Sequence, residues 1–148
     1  MKLITANLVD DLKQLTKPSE HISWITAFTM ESGVKEVLDS LKAAQANGAV
    51  IQILTGDYLY ITQPKALRLL LTELPNAEIR LFQARGKSFH PKAYLFRHPT
   101  TQHLIVGSSN LSKSALTTGV EWSLQTVDEP TFEHAMDEFT KLFYAEQT

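Results

Sequence analysis

Two short apolar runs near the middle of the chain constrain its fold more than any other feature. Residues 91–96 and 104–107 are rich in aliphatic and aromatic types, and a polar stretch at 98–102 separates them. Apolar runs of this length on either side of a short polar stretch are typical of two strands joined by a turn. The pattern therefore predicts an antiparallel strand pair.

Polar residues lie two positions apart at one end of each predicted strand. His90 and Lys92 lead into the first strand, and Ser108 and Asn110 follow the second. Because alternate residues of a strand face the same side, the members of each pair reach into one space. An imidazole beside an ammonium, with a hydroxyl and a carboxamide, suits phosphoryl chemistry, where oxygens are neutralised while phosphorus is attacked. Glu121, on a later strand, is a candidate to hold the N–H of the histidine.

This order of residues resembles the motif of the phospholipase D superfamily, H-x-K-x4-D-x6-G-S-x-N. His90, Lys92 and Gly107-Ser108-x-Asn110 match the motif, and Glu121 corresponds to its later glutamate. Arg97 occupies the position of the motif's aspartate. The gap from Lys92 to Gly107 is also a few residues longer than the corresponding gap in the motif. The resemblance therefore fits the nuclease-like branch, which includes metal-independent restriction endonucleases and helicase-fused domains, better than the lipid-cleaving branches.

The resemblance extends beyond the motif itself. Thr55-Gly56-Asp57-Tyr58 and residues 87–96 look most like the helicase-fused kind. The family resemblance implies that residues 1–148 form a single phosphodiesterase domain. It also implies that this domain is the N-terminal domain of a longer helicase-type protein.

The superfamily mechanism implies a role for each matching residue. His90 attacks phosphorus to give a phosphohistidine, and a second histidine protonates the leaving oxygen before water resolves the intermediate. Lys92 and Asn110 bind the non-bridging oxygens, Ser108 donates a further hydrogen bond, and Glu121 holds the imidazole. No metal ion or cofactor is needed. The chain carries one His-x-Lys unit where the mechanism uses two, so we expect a homodimer with a shared active site.

Further substrate-binding candidates flank the motif or lie within it: Arg80, Arg85, Lys87 and Ser109. Phe82 and Phe89 are interleaved with the three cations in the segment before His90. Such a segment is equally consistent with a phosphate track and with a solvated edge of the sheet.

Composition limits the remaining classes of protein. A chain of 148 residues with 43% hydrophobic and 20% charged residues has the size and composition of one globular domain. The absence of cysteine excludes disulfides, thiolate zinc sites and cysteine nucleophiles. A net charge of −2 means that phosphate affinity must come from a local patch. No apolar run approaches transmembrane length, so we expect a cytoplasmic protein without a membrane partner.

Hydrophobic periodicity predicts the other elements. Helices are predicted at residues 7–16, 32–46, 64–74, 112–116 and 131–144, and further strands at 21–30, 49–54, 77–82 and 120–127. This order predicts an α/β domain with a mixed, mostly parallel sheet and helices on both faces, of the phospholipase D/nuclease-like type.

The sequence thus predicts a metal-independent phosphodiesterase, specifically a nuclease domain that acts on DNA. The alternative is a non-catalytic DNA- or phosphate-binding module that targets a fused or partner helicase. Lipid hydrolysis is disfavoured because no basic amphipathic membrane surface is visible in the sequence.

Overall fold

Seven strands form one mixed sheet in the structure, a computed structural model that describes residues 1–148. The strands are β1 (Lys2–Ile4), β2 (His21–Thr26), β3 (Val50–Gly56), β4 (Glu78–Phe82), β5 (Ala93–Arg97), β6 (Gln102–Gly107) and β7 (Ser123–Thr126). The helices are α1 (Leu8–Thr16), α2 (Glu31–Ala46), α3 (Pro64–Glu73), α4 (Lys113–Leu116) and α5 (Glu129–Phe143), with a 3-10 turn at Tyr58–Tyr60. Their order across the sheet is β1-β7-β6-β5-β2-β3-β4.

The strand pairing confirms a mixed sheet and corrects one detail of the prediction. Only β2–β3 and β3–β4 pair in parallel, each across a helical crossover, and the other four pairs are antiparallel. The expectation of a mostly parallel sheet is therefore wrong for the strand pairs. The cause is that β5 enters beside β2 in the opposite direction, and β6, β7 and β1 then add to it in alternating directions. Strand β1 was not predicted at all, because it is only three residues long.

Helices cover both faces of the sheet, as expected. Helices α1 to α4 pack together on one face over the larger core, which includes Trp24, Tyr94 and Phe96. Helix α5 packs on the other face, over Leu54 and Leu95. Consecutive residues of the central strands thus belong to opposite cores, which explains why these strands are apolar on both faces.

None of the five helices combines the length and the apolar character that a crossing of a lipid bilayer requires.

Candidate active site

The two halves of the motif meet at one edge of the sheet. Ala93, the first residue of β5, pairs with Val106 of β6 and with Ile25 of β2. The N–H of Gly107 donates to the carbonyl of Lys92 at 3.2 Å. The start of β5 therefore lies beside the ends of β2 and β6, and the polar residues flanking these strands converge there.

His90 and Lys92 lie side by side, as the strand pattern predicts. Lys92 Nζ is 3.4 Å from His90 Nδ1 and donates to the backbone carbonyl of His90 at 3.0 Å. The imidazole is exposed, and two aromatic rings meet it edge-on, Phe28 at 5.7 Å and Tyr58 at 5.2 Å between centroids. These contacts orient the imidazole and keep it at the surface, where a ligand can reach it.

Asn110 is positioned by the loop that follows β2. Its Oδ1 accepts the N–H of Phe28 at 2.9 Å, while its Nδ2 has no hydrogen-bond partner in the chain. The backbone of the same segment is held closely, because Leu111 N donates to Phe28 O and a Cβ on Gly33 would lie 2.1 Å from the Leu111 carbonyl carbon. The amide group of Asn110 is thus a positioned donor at the same edge of the sheet, held by Phe28, whose ring meets the imidazole of His90.

The two serines of the motif make contacts that the sequence did not predict. Ser108 Oγ accepts the N–H of Trp122 at 3.1 Å and donates to its carbonyl at 3.3 Å, which joins the end of β6 to the segment before β7. Ser109 is 1% exposed, and its Oγ donates to Ala115 O. Its carbonyl accepts the hydroxyl of Tyr94 at 2.8 Å. The structure does not support Ser109 as a substrate-binding residue, because its side chain points into the protein.

Glu121 makes no hydrogen bond with His90 within the chain. Its negative charge acts on Tyr94, whose pKa is raised well above its ordinary value, first by complete burial and then by Glu121. The predicted orienting contact between Glu121 and the imidazole is therefore not formed inside one chain.

The basic candidates separate into two groups. Arg80 donates to Phe143 O at 3.1 Å, and its guanidinium lies 4.9 Å from the Phe143 ring centroid and 5.1 Å from that of Tyr144. It attaches β4 to the end of α5 and is not a free phosphate ligand. Arg85 and Lys87 lie in an exposed turn and take part in no ion pair.

Arg97, at the position of the motif's aspartate, is remote from this edge. It ends β5, roughly 13 Å along the strand from Ala93 at about 3.3 Å per residue. Its guanidinium pairs with Glu133 of α5 at 3.0 Å and lies 4.9 Å from the Phe132 ring centroid. The departure from the motif therefore changes the contact between β5 and α5 and leaves the candidate site unaltered.

The other histidines lie away from His90. His21 begins β2, at the opposite edge of the sheet, and His98 and His103 flank the distant turn with ring centroids 4.4 Å apart. His134 lies on the outer surface of α5, 3.7 Å from Glu138. One chain therefore brings one histidine to this site. No three His, Asp or Glu side chains lie together as a set of metal ligands.

Phe28 and Tyr58 contact the imidazole of His90, and the sequence predicted a role at the site for neither of them. Asp57 and Tyr58 follow β3, and open α/β sheets place ligand loops at such strand ends, which is the signal that could have pointed to Tyr58. Nothing in the sequence around Phe28 distinguishes it from a core aromatic residue.

Comparison with known proteins identifies a family and several similar folds. A family model described as cardiolipin synthase, PLD-like domain matches residues 12–143. A comparison with curated proteins gives no match. NucT from Helicobacter pylori is similar in structure with a TM-score of 0.75 and 17% identity, over 95% of this chain and 93% of that one. Nuc from Salmonella typhimurium, a phospholipase D family member, gives 0.68 and 16%, over 90% and 85%.

A larger protein contains the same fold as a part. Yeast tyrosyl-DNA phosphodiesterase, in an H432N mutant, gives a TM-score of 0.61 and 14% identity, over 98% of this chain and 36% of that one. At these identities the structural similarity concerns the fold.

Proposed function

This chain belongs to the phospholipase D superfamily, and on that premise we propose that it is an enzyme of the phosphodiesterase type, specifically a metal-independent nuclease domain that cleaves DNA through His90. The observation that carries the proposal is the convergence of an imidazole, an ammonium and a free amide donor at one edge of the sheet. Two fold relatives, Nuc and a tyrosyl-DNA phosphodiesterase, carry names that agree with this chemistry.

Each side chain has a defined task in the proposed reaction. His90 attacks phosphorus, so a P–N bond forms while the P–O ester bond breaks, and the leaving oxygen takes a proton from a second histidine. The Lys92 ammonium and Asn110 Nδ2 bind the non-bridging oxygens as their charge increases. Ser108 contributes its hydroxyl hydrogen by exchanging the 3.3 Å bond to Trp122 O for a bond to the phosphate. Water then cleaves the P–N bond and restores the histidine.

The second histidine must come from another copy, and we propose a two-fold homodimer with one shared cleft. An apolar row supports this assembly: Leu3 pairs with Leu124, which pairs with Val106, and all three are about half exposed. Trp122, 62% exposed, lies two residues before Leu124. Contiguous exposed apolar surface of this kind marks an interface. Because Glu121 does not reach the His90 of its own chain, its orienting role in this proposal is exerted across the two-fold axis.

The dimer is tested by sedimentation at micromolar concentration, with and without phosphate. We expect a dimer that phosphate stabilises, because the cationic groups of the shared cleft repel one another without an anion. Leu124→Lys should give monomers without activity. A strict monomer that still hydrolyses phosphodiesters at a rate proportional to enzyme concentration would refute the shared site.

The reaction itself is tested by rapid acid-free quenching of the protein with a chromogenic phosphodiester. We expect an acid-labile phosphorus adduct on His90 and turnover that persists in excess chelator, because fixed cations and amides replace the metal. Activity that disappears with chelator and returns with magnesium would contradict the mechanism.

A second candidate function is a non-catalytic DNA-binding module in a longer helicase-type protein. The observation that favours it is that one chain alone contains a single histidine and lacks the contact between Glu121 and His90. A protein that binds DNA, forms no adduct on His90 and releases no product would establish this alternative.

A further inference from the structure

A groove beside His90 is lined by two turns, residues 57–60 and 83–86. The carboxylate of Asp57 joins the turns, because its Oδ1 accepts the N–H of Ala84 at 2.8 Å. Tyr58 belongs to the first turn, and its ring meets the imidazole of His90 edge-on at 5.2 Å. Tyr58 therefore lines the groove and also borders the candidate active site.

Both turns hold side chains in an unusual backbone conformation. Leu59, Tyr60 and Arg85 have φ values of 58°, 54° and 50°, in the left-handed region that residues with a Cβ rarely adopt. The first turn is kept there by Tyr60 N donating to Asp57 O at 2.8 Å and by Thr62 Oγ1 donating to Gly56 O at 2.7 Å. Backbone strain of this kind is concentrated at ligand clamps and active sites.

The strained turn presents an aromatic side chain to solvent. Tyr60 is 89% exposed, and its neighbour Leu59 is 62% exposed. On the opposite wall, Arg85 is exposed and has no ion pair, so its planar guanidinium is free to stack or to donate. A flat apolar group between these side chains would cover surface that the chain itself leaves open.

The charges of the groove decide which part of a nucleic acid it suits. A phosphate inside it would meet the Asp57 carboxylate, whereas Lys92 and the Asn110 amide suit a phosphate at the adjacent site. A nucleobase is planar and uncharged, and it stacks on aromatic and guanidinium faces. Its N–H groups can donate hydrogen bonds to a carboxylate. We propose that the groove binds an unpaired nucleobase of the nucleotide next to the phosphodiester held at His90 and Lys92.

This inference rests on the proposed function, since it assigns the neighbouring group of the same nucleic-acid substrate. A base can enter the groove only when it is neither paired nor stacked in a duplex. The groove therefore confers a preference for single strands, loops and frayed ends over intact duplex, through Tyr58, Tyr60 and Arg85.

The test measures binding and needs no turnover. A short fluorescein-labelled single-stranded DNA and the same strand with abasic residues throughout are titrated with the His90→Ala protein at one fixed salt concentration, and anisotropy gives both dissociation constants. We expect the base-containing strand to bind about tenfold more tightly than the abasic strand. Adding Tyr60→Ala should remove most of this difference, and adding Tyr60→Phe should keep it, because phenylalanine retains the stacking ring.

A matched control uses a tyrosine outside the groove. Tyr144, 58% exposed at the end of α5, is replaced in the same background as Tyr144→Ala, and the ratio of the two dissociation constants should not change. Equal binding of the two strands, no binding of either strand, or an unchanged ratio in Tyr60→Ala would overturn the base-binding groove. If the base-containing strand binds more tightly and Tyr60→Ala removes this difference, but the wild-type protein cleaves no phosphodiester, the proposed catalysis is refuted and the base-binding groove is not.

Discussion

The two ends of the β5–β6 hairpin carry similar residue types and use them differently. At the turn end, polar side chains are bonded within the chain: Arg97 pairs with Glu133, His98 Nε2 donates to Leu15 O, and Gln102 donates to Val127 O. At the other end, Lys92 approaches only His90, and the Asn110 amide has no partner. Polar groups satisfied inside the chain stabilise the fold, whereas positioned but unsatisfied donors beside an exposed imidazole indicate a ligand.

The largest effect expected from this comparison concerns the histidines. His90→Ala should lower kcat/KM for a chromogenic phosphodiester by roughly a thousandfold or more, because it removes the nucleophile, and should leave the melting temperature nearly unchanged. The control His98→Ala removes a histidine of the turn end, so it should cost stability and no activity beyond the loss of folded protein. The contrast fails if His90→Ala keeps the wild-type rate in a preparation free of other nucleases.

Two cations on the same segment provide the next comparison. Lys92→Ala should reduce kcat by about a hundredfold or more, since a fixed positive charge no longer faces the developing charge on phosphate. Arg97→Ala should instead lower the free energy of unfolding by about 1 kcal/mol, through the lost contacts with Phe132 and Glu133, with kcat unaffected. Chemical denaturation and steady-state kinetics on both variants separate these effects. A loss of kcat in Arg97→Ala would show that the two ends are coupled.

Two substitutions of Asn110 test whether the N–H group or the carbonyl oxygen of its side chain matters for catalysis. Asn110→Asp keeps an oxygen for the Phe28 N–H but replaces the amide donor with a negative charge, so activity should fall about tenfold to a hundredfold while the fold remains. Asn110→Ala also leaves the Phe28 N–H without its acceptor, which should cost a further 1–2 kcal/mol or so of stability. Equal activity of Asn110→Asp and wild type at neutral pH would exclude the amide as a phosphate ligand.

The smallest expected effect is a pH dependence at the turn end. Burial, and then the charge of His98, lowers the pKa of His103 below its ordinary value. The unfolded chain therefore binds more protons than the folded one between the lowered pKa and about 6.5, so His103 should reduce stability as the pH falls below about 6.5. Thermal unfolding between pH 5 and 8 should show a shallower decline for His103→Gln than for wild type. Identical curves would mean that His103 does not contribute.

The sequence predicted a large part of the fold because the elements have strong local patterns. The stripe of α2, the hairpin turn at 98–102 and the amphipathic α5 each appear within a single stretch, and their observed bounds differ from the predicted ones by a few residues. The relation of His90 to Lys92 was predictable for a similar reason, although both residues precede β5, because residues two apart in an extended segment that leads into a strand face the same side.

What the sequence by itself determined is the set of chemical groups and their local order: one His-x-Lys unit, a Gly-Ser-x-Asn turn and no cysteine. Only the tertiary structure decided which groups remain free, because the deciding contacts join distant residues. Phe28 N orients Asn110 from 82 positions away, and Arg80 is held by Phe143 from 63. Ser109 is buried by packing against Ala115, although Ser108 next to it is exposed. Such contacts form when separate segments fold against each other, so no local pattern records them.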